Sequence, residues 1–342
     1  MSSSNDIVAV RLEGGLGDHL LGMRLLRFIR LRYPNQRIVV FSDAEGAQAQ
    51  LDIASMSPHV AEVRVLRRDP LRMTEENLGS LSNLTPDSLS ALHAAGEFFD
   101  AFTGGHFVQE ARRLGISHYE VLSSLPDIVI PEADMVAARA ILPLLQFQRF
   151  VGLNLTKYGP GAVRSNLGLI KTFLGELLTD PDVAVLHFYT RSYDFPHAPE
   201  PPRSYRQRIC AAEAAEVEAL SAMYPGRVIS IVDQPIGVVS ALLSQCFYFV
   251  GVDNGIKHLA WALNVPRSWL SPGGLVKDFI MRWAPDYWCM IEVQPWSVKE
   301  EIGRTLATNA RIALSQSLTG NHNAVWIGKG PEVSLDEGAA RC

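Results

Sequence analysis

Two short segments of this chain carry residue types that can do chemistry. The first is Asp253-Asn254-Gly255, followed within one helical turn by His258. It sits between the apolar run 247–252 and a helical stretch of small residues, and a further strand pattern opens after Pro266. That order places the turn at the carboxyl end of a parallel strand. There the first N–H groups of the next helix have no partner within the helix, and its positive dipole end faces out. Such a turn can hold an anion, a phosphate above all. Asn254 and His258 share a helix face, so both can point at one ligand. A second reading stays open for His258, a buried histidine bonded to a backbone carbonyl. Lys257 either adds a cation to the turn or is a solvated side chain.

The second segment is Gly14-Gly15-Leu16-Gly17-Asp18, directly after the strand pattern 7–12. A carboxylate on a tight turn at a strand end can project into a cleft and take a proton as a general base. The other use of Asp18 is to cap the helix that follows. Gly14, Gly15 and Gly17 allow positive φ or close approach of backbone to a ligand. Their order differs from the Gly-x-Gly-x-x-Gly dinucleotide fingerprint, which weighs against a nicotinamide-dependent oxidoreductase. Asp180-Pro181-Asp182 matches a metal-binding Asp-x-Asp in form only. It lies between a helix and a strand at the amino end of the sheet, whereas ligands collect at the opposite end. It reads as a turn, and no metal is expected. Trp283, Trp288 and Trp296 could stack on a sugar or pack in a core.

The elements that must position these residues alternate between strand and helix. In the first half, strand patterns at 7–12, 37–41 and 60–66 alternate with helical periodicity at 19–32 and 45–54. Residues 67–115 read as helical or irregular, with a turn at Gly104-Gly105. A linker approaches at 127–131, and 132–145 reads as a helix. The second half repeats the scheme. Strands fall at 150–155, 183–189, 228–232 and 247–252, and helices at 167–178, 211–223 and 236–244. Alternation of this kind predicts parallel sheets in an α/β fold. The expected division is a first Rossmann-like domain over 1–148, a second over 149–297, a helix over 298–318 crossing back to the first domain, and a mobile polar tail over 319–342. A ligand would sit in the cleft between the halves, at the strands' carboxyl ends.

Composition limits the alternatives. A chain of 342 residues with 47% apolar and 20% charged residues can form two ordinary globular domains. Its net charge of −5 leaves no basic footprint for nucleic acid. Cys210, Cys246, Cys289 and Cys342 are scattered, which argues against a zinc site or a disulfide framework and fits a reducing cytoplasm. The opening residues show no signal peptide and no run has the length of a membrane span. Peripheral contact with a membrane stays open.

The spacing Val-Asp-x-Gly-x-x-His-Leu-x-x-Ala-Leu-x-x-Pro over 252–266 resembles the donor-binding motif of the lipopolysaccharide heptosyltransferases, glycosyltransferase family 9. The opening segment is similar to the same family: a strand, a small-residue turn with Gly-Asp, a helix ending in Tyr33-Pro34 and another strand. The middle, about 67–148, matches no motif. The resemblance implies a GT-B fold, two Rossmann-like domains facing a central cleft, and inverting transfer of a sugar, heptose by resemblance, from a nucleotide sugar such as ADP-heptose. It assigns Asp18 as the base that deprotonates the acceptor hydroxyl, and the Asp253, Asn254, Gly255 and His258 segment to the nucleotide diphosphate and sugar. It also places a hydroxyl residue, Thr156, and a cation, Arg164 or else Lys157, near the leaving diphosphate. The family's Trp-Pro after that cation is replaced here by Ser165-Asn166. Its Gly-Pro-Thr loop corresponds to 271–274, with Ser271 and Gly273 as donor contacts. No cofactor or metal is implied. The acceptor, whether a glycan, a small molecule or a protein, is left open. Two other classes remain: a nucleotide-sugar hydrolase or epimerase of GT-B shape, and a binding or scaffold protein without catalysis.

Overall fold

A computed structural model of the chain describes residues 6–42, 48–69, 71–72, 80–94, 97–101, 106–142, 149–156, 162–191, 202–271, 289–293 and 297–318. The first half holds a parallel sheet of four strands in the order β3-β2-β1-β4, from Ile7–Leu12 (β1), Arg37–Ser42 (β2), Val60–Val65 (β3) and Glu97–Asp100 (β4). The second half holds a parallel sheet of six strands in the order β10-β9-β8-β5-β6-β7. These are Arg149–Asn154 (β5), Val183–Tyr189 (β6), Val228–Val232 (β7), Cys246–Val252 (β8), Arg267–Ser271 (β9) and Met290–Glu292 (β10). The interior strands β1, β2, β5, β6 and β8 are mostly apolar because both faces of these sheets are covered.

Alternate residues of each strand go to opposite faces. From β6, Ala184, Leu186 and Phe188 enter one apolar cluster, while Val183, Val185 and Tyr189 enter another. The first of these clusters runs through both halves. It takes in Val8, Val10 and Leu12 of β1, and helices Leu16–Arg32 (α1), Gln48–Ser55 (α2), Ile236–Leu243 (α9) and Gly255–Ala262 (α10). Helix α1 packs on α10 and α2 on α9. The two halves are therefore joined by core, and the carboxyl ends of β1 and β8 come together at the N-termini of α1 and α10.

Pro86–His93 (α3), Phe107–Arg113 (α4), His118–Ser123 (α5) and Glu132–Ile141 (α6) complete the helices of the first half. Ala162–Leu177 (α7), Pro202–Ala222 (α8) and Lys299–Leu318 (α11) cover the outer face of the second sheet. Three expectations need correction. Strand β4 lies within the stretch read as helical or irregular. It has only four residues, too few for a period, yet it pairs with β1 and buries Phe99. Helix α6, the last element assigned to the first half, packs on α9 of the second, where Asp134 lies against Gly237. The final helix α11 packs along α7 within the second half rather than crossing back, and Gly303 lets it approach the Leu169 carbonyl. Gly104-Gly105 and the tail 319–342 lie outside the described residues.

Candidate functional site

The turn after β1 is shaped by one glycine and one acid. Gly14 has φ +86°, a region that disfavours side chains, and a Cβ there would lie 2.7 Å from Asp18 Oδ2. Gly15 caps α1 in extended conformation, and its N–H donates to Asp18 Oδ2 at 2.9 Å. The cap reading of Asp18 is thus realised. It does not use up the group, since a carboxylate accepts at two oxygens, and Asp18 is only partly buried.

His19 holds the same turn from below. It is fully buried, with Nδ1 3.2 Å from the Gly15 carbonyl and Nε2 2.8 Å from Ser42 Oγ at the end of β2. Burial lowers its pKa to about 4, partly offset by the Gly15 bond. The ring is therefore neutral near pH 7. Nδ1–H donates to the carbonyl and the Ser42 hydroxyl donates to Nε2. Beneath the turn lies a buried charge network that sequence reading missed. Arg11 of β1 donates to Glu13 at 2.6 Å and to Asp100 of β4 at 3.2 Å, and Arg68 donates to Glu13 at 3.0 Å. The available signal was Arg11 itself, a charge inside an otherwise apolar buried strand.

The turn after β8 is built by Asn254. Its Oδ1 accepts the Lys257 N–H at 3.0 Å, capping α10, and its Nδ2 donates to the Thr156 carbonyl at 2.8 Å and to Asn154 Oδ1. Asn154 also donates to the Phe188 carbonyl at 2.7 Å and to Thr156 Oγ1 at 3.4 Å. The loops after β5 and β8 are thereby tied together, and Thr156 is brought to the second turn. Asp253 Oδ1 lies 3.2 Å from Lys257 Nζ and 3.8 Å from His258 Nε2. Lys257 is completely buried, so the solvated reading of that side chain is incorrect. At the other end of α10, Asn264 at φ +56° closes the helix, with bonds from Asn264 N to the Trp261 carbonyl and from Val265 N to the Ala260 carbonyl.

The two turns face each other. A Cβ on Gly17 would lie 2.6 Å from His258 Cδ2, and a Cβ on Gly255 would lie 2.8 Å from Leu16 Cβ. Gly17, read from the sequence as room for a ligand's approach, also admits the opposite turn, as Gly255 does. Ser271 is buried at the end of β9, and its carbonyl accepts the Val293 N–H at 2.7 Å. Arg164 belongs to the first turn of α7, which begins at Ala162 and not after residue 166 as the spacing predicts. Lys157, Gly273, Trp283, Trp288 and Trp296 lie outside the described residues. The Asp180 segment is a turn: Asp180 Oδ1 accepts the Asp182 N–H at 3.0 Å, and its carboxylate pairs with Arg149. Among the described residues no group of three or more His, Cys, Asp or Glu side chains is gathered as a metal site.

Comparison with solved structures bears on the arrangement as a whole. The E. coli ADP-heptose lps heptosyltransferase II superposes with a TM-score of 0.60 at 15% identity, covering 91% of this chain and 99% of that one. The glycosyl transferase family 9 protein of Veillonella parvula DSM 2008 gives 0.57 at 14% identity, covering 93% and 97%. The chain has the GT-B fold. Coverage this wide includes most of the middle segment in which no motif was legible. Both of these neighbours are glycosyltransferases, and the fold-level resemblance to heptosyltransferases holds. No protein-family model and no curated sequence matches the chain. Among the described residues, no helix is long and apolar enough to cross a membrane.

Proposed function

We propose that this protein is an inverting, metal-independent glycosyltransferase that uses a nucleoside diphosphate sugar, an ADP-heptose-like donor by resemblance. The nucleotide docks in the second half at the 253–258 turn, with Thr156, Lys157, Arg164, Ser271 and Gly273 around it. The acceptor enters from the first half. Its hydroxyl oxygen attacks the anomeric carbon, the bond to the diphosphate oxygen breaks, and Asp18 takes the hydroxyl proton. The α10 N-terminus and the Arg164 guanidinium meet the charge that develops on the leaving diphosphate. We place the reaction in the cytoplasm, where thiols such as Cys210 and Cys246 stay reduced.

One observation carries this reading above the others. The turn that bears the proposed base and the turn that bears the proposed phosphate site come from different halves, and meet at Gly17 and His258. A second reading, a GT-B-shaped protein without catalysis, is favoured by the hydrogen bond that makes Asp18 a helix cap. The substitution Asp18→Asn separates the two, because the amide oxygen can still accept the Gly15 N–H but cannot take a proton. Binding of nucleoside diphosphate sugars by calorimetry should persist, and turnover should fall by roughly 10²–10⁴. Transfer by Asp18→Asn at the wild-type rate would reduce Asp18 to a cap. Arg164→Ala should cost roughly 1.5–3 kcal/mol in both nucleotide binding and transfer. EDTA should leave wild-type activity unchanged, and activity lost to EDTA and restored by Mg²⁺ would remove the metal-free mechanism.

A further inference from the structure

Lys257 is wholly buried in the first turn of α10, the helix whose N-terminus forms the proposed diphosphate site. Its Nζ lies 3.2 Å from Asp253 Oδ1 and 4.3 Å from the centroid of the buried Trp269 ring on β9. Among the described residues no hydrogen-bond acceptor is aligned with its N–H groups. The ammonium is thus held by charge, through the carboxylate and the electron-rich ring face. Asp253 is 24% exposed at the mouth of the turn. A carboxylate there opposes the positive end of the helix and repels any phosphate that approaches the N–H groups.

We propose that Lys257 is a positioning and charge-neutralising residue. It draws the Asp253 carboxylate onto a buried cation and so makes the 253–258 turn receptive to a diphosphate. The inference rests on the donor-site reading above and concerns how that site tolerates its own acid.

The test titrates the full chain with ADP, UDP and GDP by calorimetry and records thermal unfolding alongside. Wild type binding none of the three would overturn the donor-site reading and this inference with it. With whichever nucleotide wild type binds, Lys257→Met should weaken binding roughly tenfold, because the partly exposed Asp253 carboxylate loses the buried cation beside it. The double variant Lys257→Met, Asp253→Asn carries neither charge, and should bind within about threefold of wild type. A purely packing role for Lys257 predicts no such rescue, so a double variant as weak as Lys257→Met overturns the proposal. So does Lys257→Met binding as tightly as wild type. Should Lys257→Met fail to fold, Asp253→Asn carries the test alone. It keeps the cation and removes the acid, so the same sugar-free nucleotide should bind at least as tightly as to wild type. A tenfold loss there would overturn the proposal.

Discussion

At the scale of single residues, the site is organised by atoms that are missing. Gly17 and Gly255 have no Cβ because His258 and Leu16 occupy that space. This changes what a substitution at either glycine would report. A side chain at Gly255 would meet Leu16 before it met any ligand. Gly17→Ala should force the His258 ring and the turn apart, costing roughly 1–3 kcal/mol as overpacking does. Thermal unfolding should register that loss, and a second substitution, His258→Ala, should recover most of it by vacating the space. Recovery would place the strain at this contact. A Gly17→Ala protein as stable as wild type would show that the turns separate without cost.

At the scale of elements, Asn254 is the junction. One oxygen caps α10 and one amide nitrogen ties the loop after β5 to the turn after β8. Removing both functions with Asn254→Ala should cost about 1–2 kcal/mol for the cap alone, with a further contribution from the lost Thr156 bond. Asn254→Asp retains the capping oxygen but has no N–H to donate, and sets a second oxygen against the Thr156 carbonyl. Hydrogen exchange separates the two roles. In Asn254→Asp the Lys257 amide should stay protected while the amides of 154–156 exchange faster. Equal loss of protection at both places would show that the cap and the tie form a single unit.

At the scale of the whole molecule, the halves share an apolar cluster, so they are expected to unfold together rather than as two independent domains. Two buried histidines then link that transition to pH. Burial lowers the pKa of His19 to about 4 and that of His187, on β6, to about 3. Both are neutral when folded and take up a proton near pH 6.5 once unfolded. The unfolded chain binds more protons between these values, so stability falls as pH drops. Their contribution is complete above about pH 6.5 and is lost progressively down to about pH 4 for His19 and about pH 3 for His187. The loss from His19 alone is on the order of 3 kcal/mol. Urea unfolding from pH 7.5 to 4 should show this decline, and a flat profile across the window would mean that both rings are protonated in the folded state.

What the chain determines locally was legible without a fold. Strands β1 and β6 were read to the residue, because buried parallel strands are largely apolar runs bounded by turns, and the half-buried edge strand β7 was read as well. The two chemically equipped turns were legible for the same reason, since each follows such a run and opens a helix. Asp253 and Asn254 were singled out from spacing alone. The tertiary structure decided which groups meet. Gly17 touches His258, α6 and α11 both pack on the second half, and Lys257 turns inward to Asp253 and Trp269. Strand β4 is a strand because β1 offers it an edge; its four residues carry no period of their own. Hydrophobic period and turn chemistry act over a few residues and are written in the sequence. Contacts between residues far apart in the chain arise only when one shared core packs both sheets, and no local pattern encodes them.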